Sequence, residues 1–381
     1  MIKGGPHIET SGLQLYYDVD NIDSYPGEPT TNLLAQPLSF ETGYTQESFT
    51  GGTIEDNAVI APDGTMSATK ITRVGGYFYK RNLTSPTFTI TPGDVITFSC
   101  WVKAIAPSTQ SGRGLYIWCY DGAGSGNRTA SSQAINTTTW TRVSVTYTAL
   151  ASETSFAFGF VGSQSTHLYG TIAIWHPQIE KKSHATQFTT GTRSSTDGLK
   201  DLSGNDNHAD LANATYDSNA LIDYAGAGWV APPTLTGTYT DASFECWFMS
   251  DSAGQSGALI SNNAGTALGK PTFELSGGAL RLGHFGAGSD YNSIITPTLN
   301  IWYYAVVTMS ANAVKAYING IYIGEVTSTY SSGTMILTIG RRSSGSYLFN
   351  GKIDNIKVYN TILTSVQQLQ NYNAVKSRFG H

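Results

Sequence analysis

Apolar and polar residues alternate with a period of two along most of the chain. The clearest runs are FSCWVK at 98–103, LYIWCY at 115–120 and FECWFM at 244–249. This period puts successive side chains on opposite faces of a β-strand, so we predict strands from end to end. Asn319-Gly320 separates two such runs and predicts a type I′ hairpin, because both turn residues need positive φ. Many short strands joined by frequent turns are typical of sandwiches.

A single short helix is predicted near the C-terminus. Thr364 and Gln367 have the spacing of a capping box. Val366, Leu369 and Tyr372 are expected to form the apolar face of this helix.

Composition and charge narrow the class of protein. Charged residues make up only 13% of the chain, which has 41 glycines and 22 tyrosines, as is typical of a turn-rich β protein. The net charge of −5, without a basic stripe, argues against nucleic acid as a partner. No apolar run approaches a membrane span and no signal peptide is recognised, so membrane insertion is not expected. The three cysteines, Cys100, Cys119 and Cys246, are predicted to be buried free thiols.

Two sets of short motifs, interleaved along the chain, carry a resemblance to known domains. The opening GLQLYYD at 12–18, the turn DLSGN at 201–205 and the tail FNGKIDNIKVYN at 349–360 are similar to laminin-G-like, concanavalin-A-like sandwiches. APDGT at 61–65 and WHPQIE at 175–180 resemble carbohydrate-binding-module jelly rolls of phage tail and fibre proteins. The first set is split by about 170 residues, which implies that one domain is inserted into the other.

The expected fold is therefore all-β, with two jelly-roll β-sandwich domains and one short C-terminal helix. Residues 1–11 are expected to be an N-terminal arm that tethers the protein to a larger assembly. Residues 12–30 and 194–381 are expected to form the discontinuous laminin-G-like sandwich, and 31–193 the inserted jelly roll. Exposed loops whose ends lie close together tolerate such insertions.

No arrangement of residues indicates catalysis. Glycoside hydrolysis needs two facing carboxylates, and the strand spacing of acids in concanavalin-A-like glucanases is absent here. Neither a zinc-protease histidine motif nor a nucleophile elbow occurs. We therefore expect a non-enzyme, in which His176 and His184 lie on solvated surface.

Two oxygen-rich loops are candidate calcium sites, because calcium binds six to eight oxygens. No organic cofactor is expected, and structural calcium is left open beside the alternative that these residues only form turns. The candidate ligands are Asp18, Asp20 and Asp23 in one loop and Asp201 and Asn205 in the other.

Aromatic residues on strand faces are the candidate binding surface. Sugars stack their C–H faces on aromatic rings, while polar groups take up their hydroxyls. The alternative is that the same face contacts another protein, since aromatics are also enriched in interfaces. The candidate glycan- or partner-binding residues are Trp101, Tyr116, Trp118, Tyr120, Asp121 and Arg128.

The resemblance implies a structural protein on the surface of a phage virion, as a decoration, tail or fibre component assembled in the host cytoplasm. Its expected partners are other virion proteins and host surface glycans, and we expect a homo-oligomer or multiple copies on the particle. The alternatives are a glycan-binding adhesin that recognises a host receptor and a polysaccharide-degrading enzyme.

Overall fold

The computed structural model divides the chain into two compact units. Met1–Glu28 and Ser194–His381 form the first, here called the host unit, and Pro29–Arg193 form the second, here called the inserted unit. The residues that the structure describes are 7–41, 45–47, 52–73, 78–81, 90–106, 114–121, 126–130, 138–161, 170–196, 198–216, 222–262, 270–285, 292–310, 313–327, 333–342 and 344–381.

The host unit contains antiparallel strands and one α-helix among its described residues. Its strands are β1 (Leu13–Tyr17), β14 (Asp210–Ala212), β15 (Thr215–Tyr216), β16 (Ile222–Asp223), β17 (Trp229–Ala231), β18 (Leu235–Tyr239), β19 (Ala242–Ser250), β20 (Gly257–Asn262), β21 (Lys270–Ser276), β22 (Ala279–Phe285), β23 (Asn292–Ile295), β24 (Trp302–Met309), β25 (Ala313–Ile318), β26 (Ile321–Thr327), β27 (Gly333–Met335), β28 (Leu337–Ile339) and β29 (Gly351–Tyr359). Helix α1 spans Ser365–Val375, and a 3-10 turn, Lys376–Phe379, follows it.

Two large sheets of the host unit enclose its main core. One has eight strands in the order β15-β16-β29-β19-β24-β25-β26, with β1 also paired to β29, and the other has seven in the order β14-β17-β28-β20-β21-β22-β23. Strand β19 follows the predicted alternation, because Phe244, Cys246 and Phe248 enter this core while Trp247 joins a second cluster. Both faces of β19 are therefore buried.

The hairpin between β25 and β26 is confirmed as a two-residue turn. Ile318 pairs with Ile321, and Asn319 and Gly320 adopt φ values of 51° and 81°. Asparagine tolerates the left-handed region better than most residues and glycine enters it freely, so the sequence Asn-Gly fits this turn.

The capping box of α1 is confirmed, but its predicted apolar face holds only at Tyr372, which stacks on Trp247 at a centroid distance of 5.7 Å. Thr364 accepts a hydrogen bond from the Gln367 backbone N–H at 3.3 Å. Val366 and Leu369 are 74% and 49% exposed, whereas Gln368 and Asn371 are among the buried residues of the helix. The buried side of the helix thus combines these two amides with Val375 and Tyr372, and a charged pair lies within reach of the amide of Asn371.

This charged pair joins β19 to β29. Lys357 Nζ lies 2.7 Å from Glu245 Oε1, and both side chains are fully buried. The other carboxylate oxygen of Glu245 accepts hydrogen bonds from Tyr304 Oη at 2.7 Å and from Asn371 Nδ2 at 2.9 Å. The amide of Asn371 thus links α1 to the Glu245 carboxylate. A leucine at position 371 would leave this carboxylate without one of its hydrogen-bond donors.

The described part of the predicted N-terminal arm lies against α1. Asn371 accepts a hydrogen bond from the Glu9 backbone N–H at 2.6 Å, and Gln370 Nε2 donates to the His7 carbonyl at 2.7 Å. Residues 7–11 are therefore held by the host unit.

The strands of the inserted unit are β2 (Thr30–Thr31), β3 (Thr45–Glu47), β4 (Thr53–Ile60), β5 (Met66–Arg73), β6 (Phe78–Arg81), β7 (Val95–Ala106), β8 (Gly114–Asp121), β9 (Gly126–Ala130), β10 (Thr141–Thr148), β11 (Glu153–Val161), β12 (Gly170–Glu180) and β13 (Thr192–Arg193). They form a sandwich of two five-stranded antiparallel sheets, β10-β7-β12-β5-β4 and β3-β6-β11-β8-β9, with a two-stranded ribbon, β13-β2. Between the sheets lies a core that includes Phe98, Cys100, Ile117, Phe158 and Ile174.

The predicted fold class, all-β with sandwich-like antiparallel sheets and one short C-terminal helix, is confirmed. Cys100 and Cys246 are buried free thiols as predicted, and the side chain of Cys119 lies outside the described residues. Within the described ranges, no helix has the length and apolar character needed to cross a membrane.

Candidate functional site

A pocket of about 280 Å³ opens beside strands β4, β5 and β12 of the inserted unit. Its lining combines apolar side chains with hydroxyl, amide, carboxylate and imidazole groups. The lining residues are Pro37, Leu38, Phe40, Asn57, Asp63, Thr65, Ser67, Thr69, Ile174, Trp175, His176 and Pro177.

Two strained backbone positions meet at this pocket. Asn57 in β4 has a φ of 55° and His176 in β12 has a φ of 52°, and they are the described non-glycine residues of the inserted unit with positive φ. The register of each strand shifts at that position, between Glu55 and Val59 in β4 and between Trp175 and Gln178 in β12. Such bulges redirect side chains and occur often beside functional sites.

The bulge in β12 places His176 in an aromatic stack. Its ring lies between Trp175, at a centroid distance of 3.3 Å, and Phe188, at 3.8 Å. Burial lowers the pKa of His176 to about 4, although the Asp63 carboxylate partly opposes this. The imidazole is therefore neutral at pH 7, with one ring nitrogen able to donate a hydrogen bond and the other able to accept one.

A carboxylate fixes the wall of the pocket formed by 37–41. Asp56 accepts hydrogen bonds from Ser39 Oγ and Thr69 Oγ1, both at 2.6 Å, and from the Phe40 backbone N–H at 3.0 Å. Burial opposes the ionisation of Asp56, but these hydrogen bonds outweigh it and lower its pKa. The wall is thus held by a charged group that does not itself line the pocket.

At the rim, Asp63 accepts hydrogen bonds from the Thr65 backbone N–H at 2.9 Å and from Thr65 Oγ1 at 2.7 Å. These hydrogen bonds lower the pKa of Asp63, so the carboxylate is ionised at neutral pH. Phe40 and Ile174 also line the pocket, and because they are buried they give it an apolar floor. Asp63 is the one carboxylate among the described residues that line this pocket.

The structure separates Trp101 from the other predicted aromatic residues. Trp101 lies in β7, between Arg142 of β10 and Trp175 of β12, whereas Tyr116, Trp118 and Tyr120 lie in β8, in the other sheet. A single binding platform that combines Trp101 with Tyr116, Trp118 and Tyr120 on one face of one sheet is therefore wrong. Trp101 is instead the cross-strand neighbour of a residue that lines the pocket.

The remainder of the predicted platform stays a prediction. Trp118 of β8 pairs with Arg128 of β9 through the backbone, and Asp121 ends β8. The side chains of Tyr116, Trp118, Tyr120, Asp121 and Arg128 lie outside the described residues.

The first candidate calcium loop is occupied by an arginine. Arg378 donates to both carboxylate oxygens of Asp18, at 2.9 and 2.6 Å, and its Nε lies 3.1 Å from Asp20. Burial opposes the ionisation of Asp18, but Arg378 outweighs it and lowers the pKa. The backbone N–H of Asp23 donates to the Asn21 side chain. The guanidinium of Arg378 thus provides the positive charge that a calcium ion would otherwise supply in this loop.

The second candidate loop is a turn held by hydrogen bonds. Asp201 accepts from the backbone N–H groups of Tyr16 at 2.9 Å, Ser203 at 2.9 Å and Asn207 at 3.0 Å. Asn205 Nδ2 donates to the Leu13 carbonyl at 3.1 Å. Across the described ranges, no group of three or more histidine, cysteine, aspartate or glutamate side chains could hold a metal ion.

His176 is a pocket-lining residue whose position the sequence predicts wrongly. The expectation is a solvated surface, but His176 is partly buried and lines the pocket. A signal was present in the sequence, because Trp175-His176-Pro177 interrupts the alternation of β12 with a proline, which is found in strands mainly at edges and bulges.

Comparison of the sequence with family profiles identifies similarity in the host unit. Residues 223–367 match the profile described as the concanavalin A-like lectin/glucanases superfamily. No curated protein sequence matches the chain significantly.

Comparison with solved structures finds partial similarity to proteins that include the following three. Domain 4 of AbnA, a GH43 extracellular arabinanase from Geobacillus stearothermophilus in complex with arabinotriose, is 14% identical, with 45% of this chain and 92% of that domain covered and a TM-score of 0.40. The receptor binding domain of botulinum neurotoxin D is 14% identical over 46% of this chain and 49% of its own, with a TM-score of 0.35. A sialidase from Trypanosoma rangeli, in complex with 2,3-difluorosialic acid, is 16% identical over 48% of this chain and 31% of its own, with a TM-score of 0.38. At such identities, no activity carries over from these proteins. The part of the chain at 223–367 is thus similar to concanavalin A-like lectins and glucanases in sequence.

Proposed function

We propose that the protein is a non-catalytic glycan-binding protein displayed on the surface of a bacteriophage particle, and that the pocket of the inserted unit is its binding site. The observation that carries this proposal is the meeting of two strained residues, Asn57 and His176, at one pocket. Strained non-glycine positions persist where the surrounding structure holds them, and they cluster at ligand sites.

The chemistry of the lining suits a sugar. Phe40 and Ile174 offer an apolar floor and Trp175 an indole wall for the C–H face of a pyranose ring. Asn57, Asp63 and the neutral His176 can donate or accept hydrogen bonds to hydroxyl groups. A volume of about 280 Å³ lies just below the usual range of ligand pockets, so we expect no more than one sugar residue to enter.

The carboxylates favour binding over catalysis. Glycosidases hold two carboxylates on opposite sides of the scissile bond, whereas Asp63 is the one carboxylate among the described residues of this pocket. Elsewhere, the buried carboxylates of Glu245 and Glu274 are paired with Lys357 and Arg342.

The location on a virion is supported by the sequence resemblance. A structural role in contacts with other virion proteins is a second candidate function, and exposed apolar side chains of the host unit favour it. Ile321 at the hairpin and Val366 of α1 are 66% and 74% exposed, and the hairpin glycine, Gly320, lies beside Leu369. Exposed apolar side chains that lie close together on a surface are typical of sites that contact other proteins.

The binding proposal is tested by Asn57→Gly on an array of bacterial surface glycans, followed by titration calorimetry with the ligand so identified. Glycine adopts positive φ without strain, so the variant should fold at least as stably as the wild type. Loss of the amide should weaken binding by about two- to tenfold, because a neutral hydrogen bond contributes about 0.5–1.5 kcal/mol.

The matched control is Glu55→Gln, which changes an exposed residue of the same strand that pairs with Lys70 outside the pocket. It should bind like the wild type. A wild-type protein that binds no glycan, or equal affinities for Asn57→Gly and the wild type, would contradict the assignment of the pocket.

The non-catalytic part is tested by incubation with capsule and cell-wall polysaccharides. We expect no release of reducing ends. Release that disappears in Asp63→Asn would show that the protein is an enzyme.

A further inference from the structure

An arginine that has no anionic partner among the described residues stacks on a tryptophan in the host unit. Arg341 follows β28, and its Cζ lies 3.5 Å from the ring centroid of Trp229 in β17. Between β28 and Arg341 stands Gly340, with a φ of 83°, and a Cβ at this position would collide with the ring of Tyr224. The requirement for glycine here fixes the path of the chain that presents Arg341.

The next residue, Arg342, shows how an arginine of this loop is neutralised. Its Nε and Nη2 donate to the two carboxylate oxygens of Glu274 at 2.7 and 2.6 Å, and its Cζ lies 3.5 Å from the ring centroid of Tyr347. The charge of Arg342 is therefore neutralised by Glu274, and the flat face of its guanidinium packs on Tyr347. The carboxylate of Glu274 is already used by a bidentate pair.

Arg341 has no such partner among the described residues. Its Nε is buried and has no hydrogen-bond partner in the described part of the chain. Burial lowers the pKa of Arg341, and no carboxylate of the described residues opposes this effect. A buried polar group without a partner is costly, and an arginine remains charged at all physiological pH values. The side chain as a whole is only partly buried, so an anion can reach its Nη groups, although the buried Nε is out of reach.

We propose that Arg341, supported by Trp229, binds the carboxylate of an acidic sugar. The guanidinium is planar and carries its donors in a fork that matches a carboxylate. Stacking on Trp229 limits the freedom of the side chain before the ligand arrives, which reduces the entropy lost on binding. The choice of a sugar as the carrier of the carboxylate rests on the glycan recognition proposed above, but this site and the pocket share no residues.

The test is a titration of the full-length, isotope-labelled protein with methyl glucuronoside, followed by the indole N–H signal of Trp229. The signal is assigned by its loss in Trp229→Phe. We expect a saturable shift with the acid and at least about a tenfold weaker effect with its methyl ester, because charge-assisted hydrogen bonds are stronger than neutral ones.

Arg341→Met keeps a long side chain over the indole but removes the charge, and it should weaken the binding of the acid at least about tenfold. The matched control, Lys315→Met, removes an exposed cation that pairs with Glu325 in the other sheet, and it should bind like the wild type. Equal binding of acid and ester, or unchanged binding by Arg341→Met, would overturn the proposal. Acetate that binds as tightly as the glucuronoside would overturn the sugar as the ligand.

The outcomes for the two sites are separable. If Asn57→Gly loses glycan binding while its Trp229 signal still responds to methyl glucuronoside as in the wild type, the result concerns the pocket alone. Failure of the Trp229 signal to respond, with binding at the pocket intact, would refute this inference and leave the proposed function standing.

Discussion

Replacing Lys357 by methionine would isolate the effect of one buried charge. Lys357 and Glu245 are both 0% exposed and 2.7 Å apart, and methionine occupies nearly the same space as lysine without its ammonium group. In the variant, Oε1 of Glu245 loses its cation while Oε2 keeps its hydrogen bonds from Tyr304 and Asn371. The carboxylate would then be buried with its charge uncompensated.

The expected loss in the free energy of unfolding is about 3–5 kcal/mol, the usual cost of removing one partner of a buried ion pair. A double variant, Lys357→Met with Glu245→Gln, should recover about 2 kcal/mol of this loss, because the uncompensated charge is gone. The exposed pair of Lys315 and Glu325, 3.6 Å apart with side chains 43% and 52% exposed, provides the control. Lys315→Met should cost less than about 1 kcal/mol.

Native-state hydrogen exchange of amides in β19 and β29 is the appropriate assay, because it reports the stability of the host unit independently of the inserted unit. Lys357→Met and Lys315→Met of equal stability would refute the reasoning. So would a double variant no more stable than the single one.

Four further outcomes are expected. By urea unfolding, Leu369→Lys should change stability by less than about 0.5 kcal/mol, whereas Asn371→Leu should lower it by about 1–3 kcal/mol by leaving buried groups unpaired; equal effects would contradict the buried position of Asn371. Asn319→Ala should cost about 1 kcal/mol at the left-handed turn position, and no loss in thermal unfolding would argue against that turn. Burial, followed by a neighbouring carboxylate, raises the pKa of Asp354 to about 6 from 3.8, so its ionised form destabilises the fold above pH 6 and this cost fades as the pH falls towards 4. When the pH is lowered from 7 to 4.5, the free energy of unfolding of the wild type should therefore rise by on the order of 2 kcal/mol relative to that of Asp354→Asn. A difference between the two proteins that does not depend on pH would contradict the raised pKa. Replacing 29–193 by a short Gly/Ser linker should leave a soluble protein with cooperative unfolding, and an aggregated product would count against an independent host unit.

The sequence predicts correctly those elements whose conformation depends only on residues close together in the chain. The Asn319-Gly320 turn, the cap at Thr364 and the alternation at 244–249 all depend on contacts or dihedral angles within a few residues. The face of α1 does not. Asn371 is buried because of a carboxylate 126 residues earlier in the chain, and no helical periodicity contains that information.

The candidate site was missed for the same reason. Asn57, His176 and the 37–41 wall are distant in sequence, and only the pairing of β4, β5 and β12 brings them together. The aromatic platform failed at Trp101 because alternation assigns a residue to a face of its own strand, without saying which sheet the strand joins. The assignment of strands to sheets is a tertiary property.

The pairing of β1 with β29 has a consequence for synthesis on the ribosome. Leu15 pairs with Val358, so the first strand of the host unit must wait for some 340 residues before its partner exists. At about 5–20 residues per second, this delay is roughly 20–70 s. The whole inserted unit emerges within that interval and can fold first, because its own terminal strands, β2 and β13, pair with each other. The nascent chain thus carries an unpaired apolar strand beside a finished domain, and a chaperone that shields β1 should raise the yield of folded protein more than one that acts on the inserted unit.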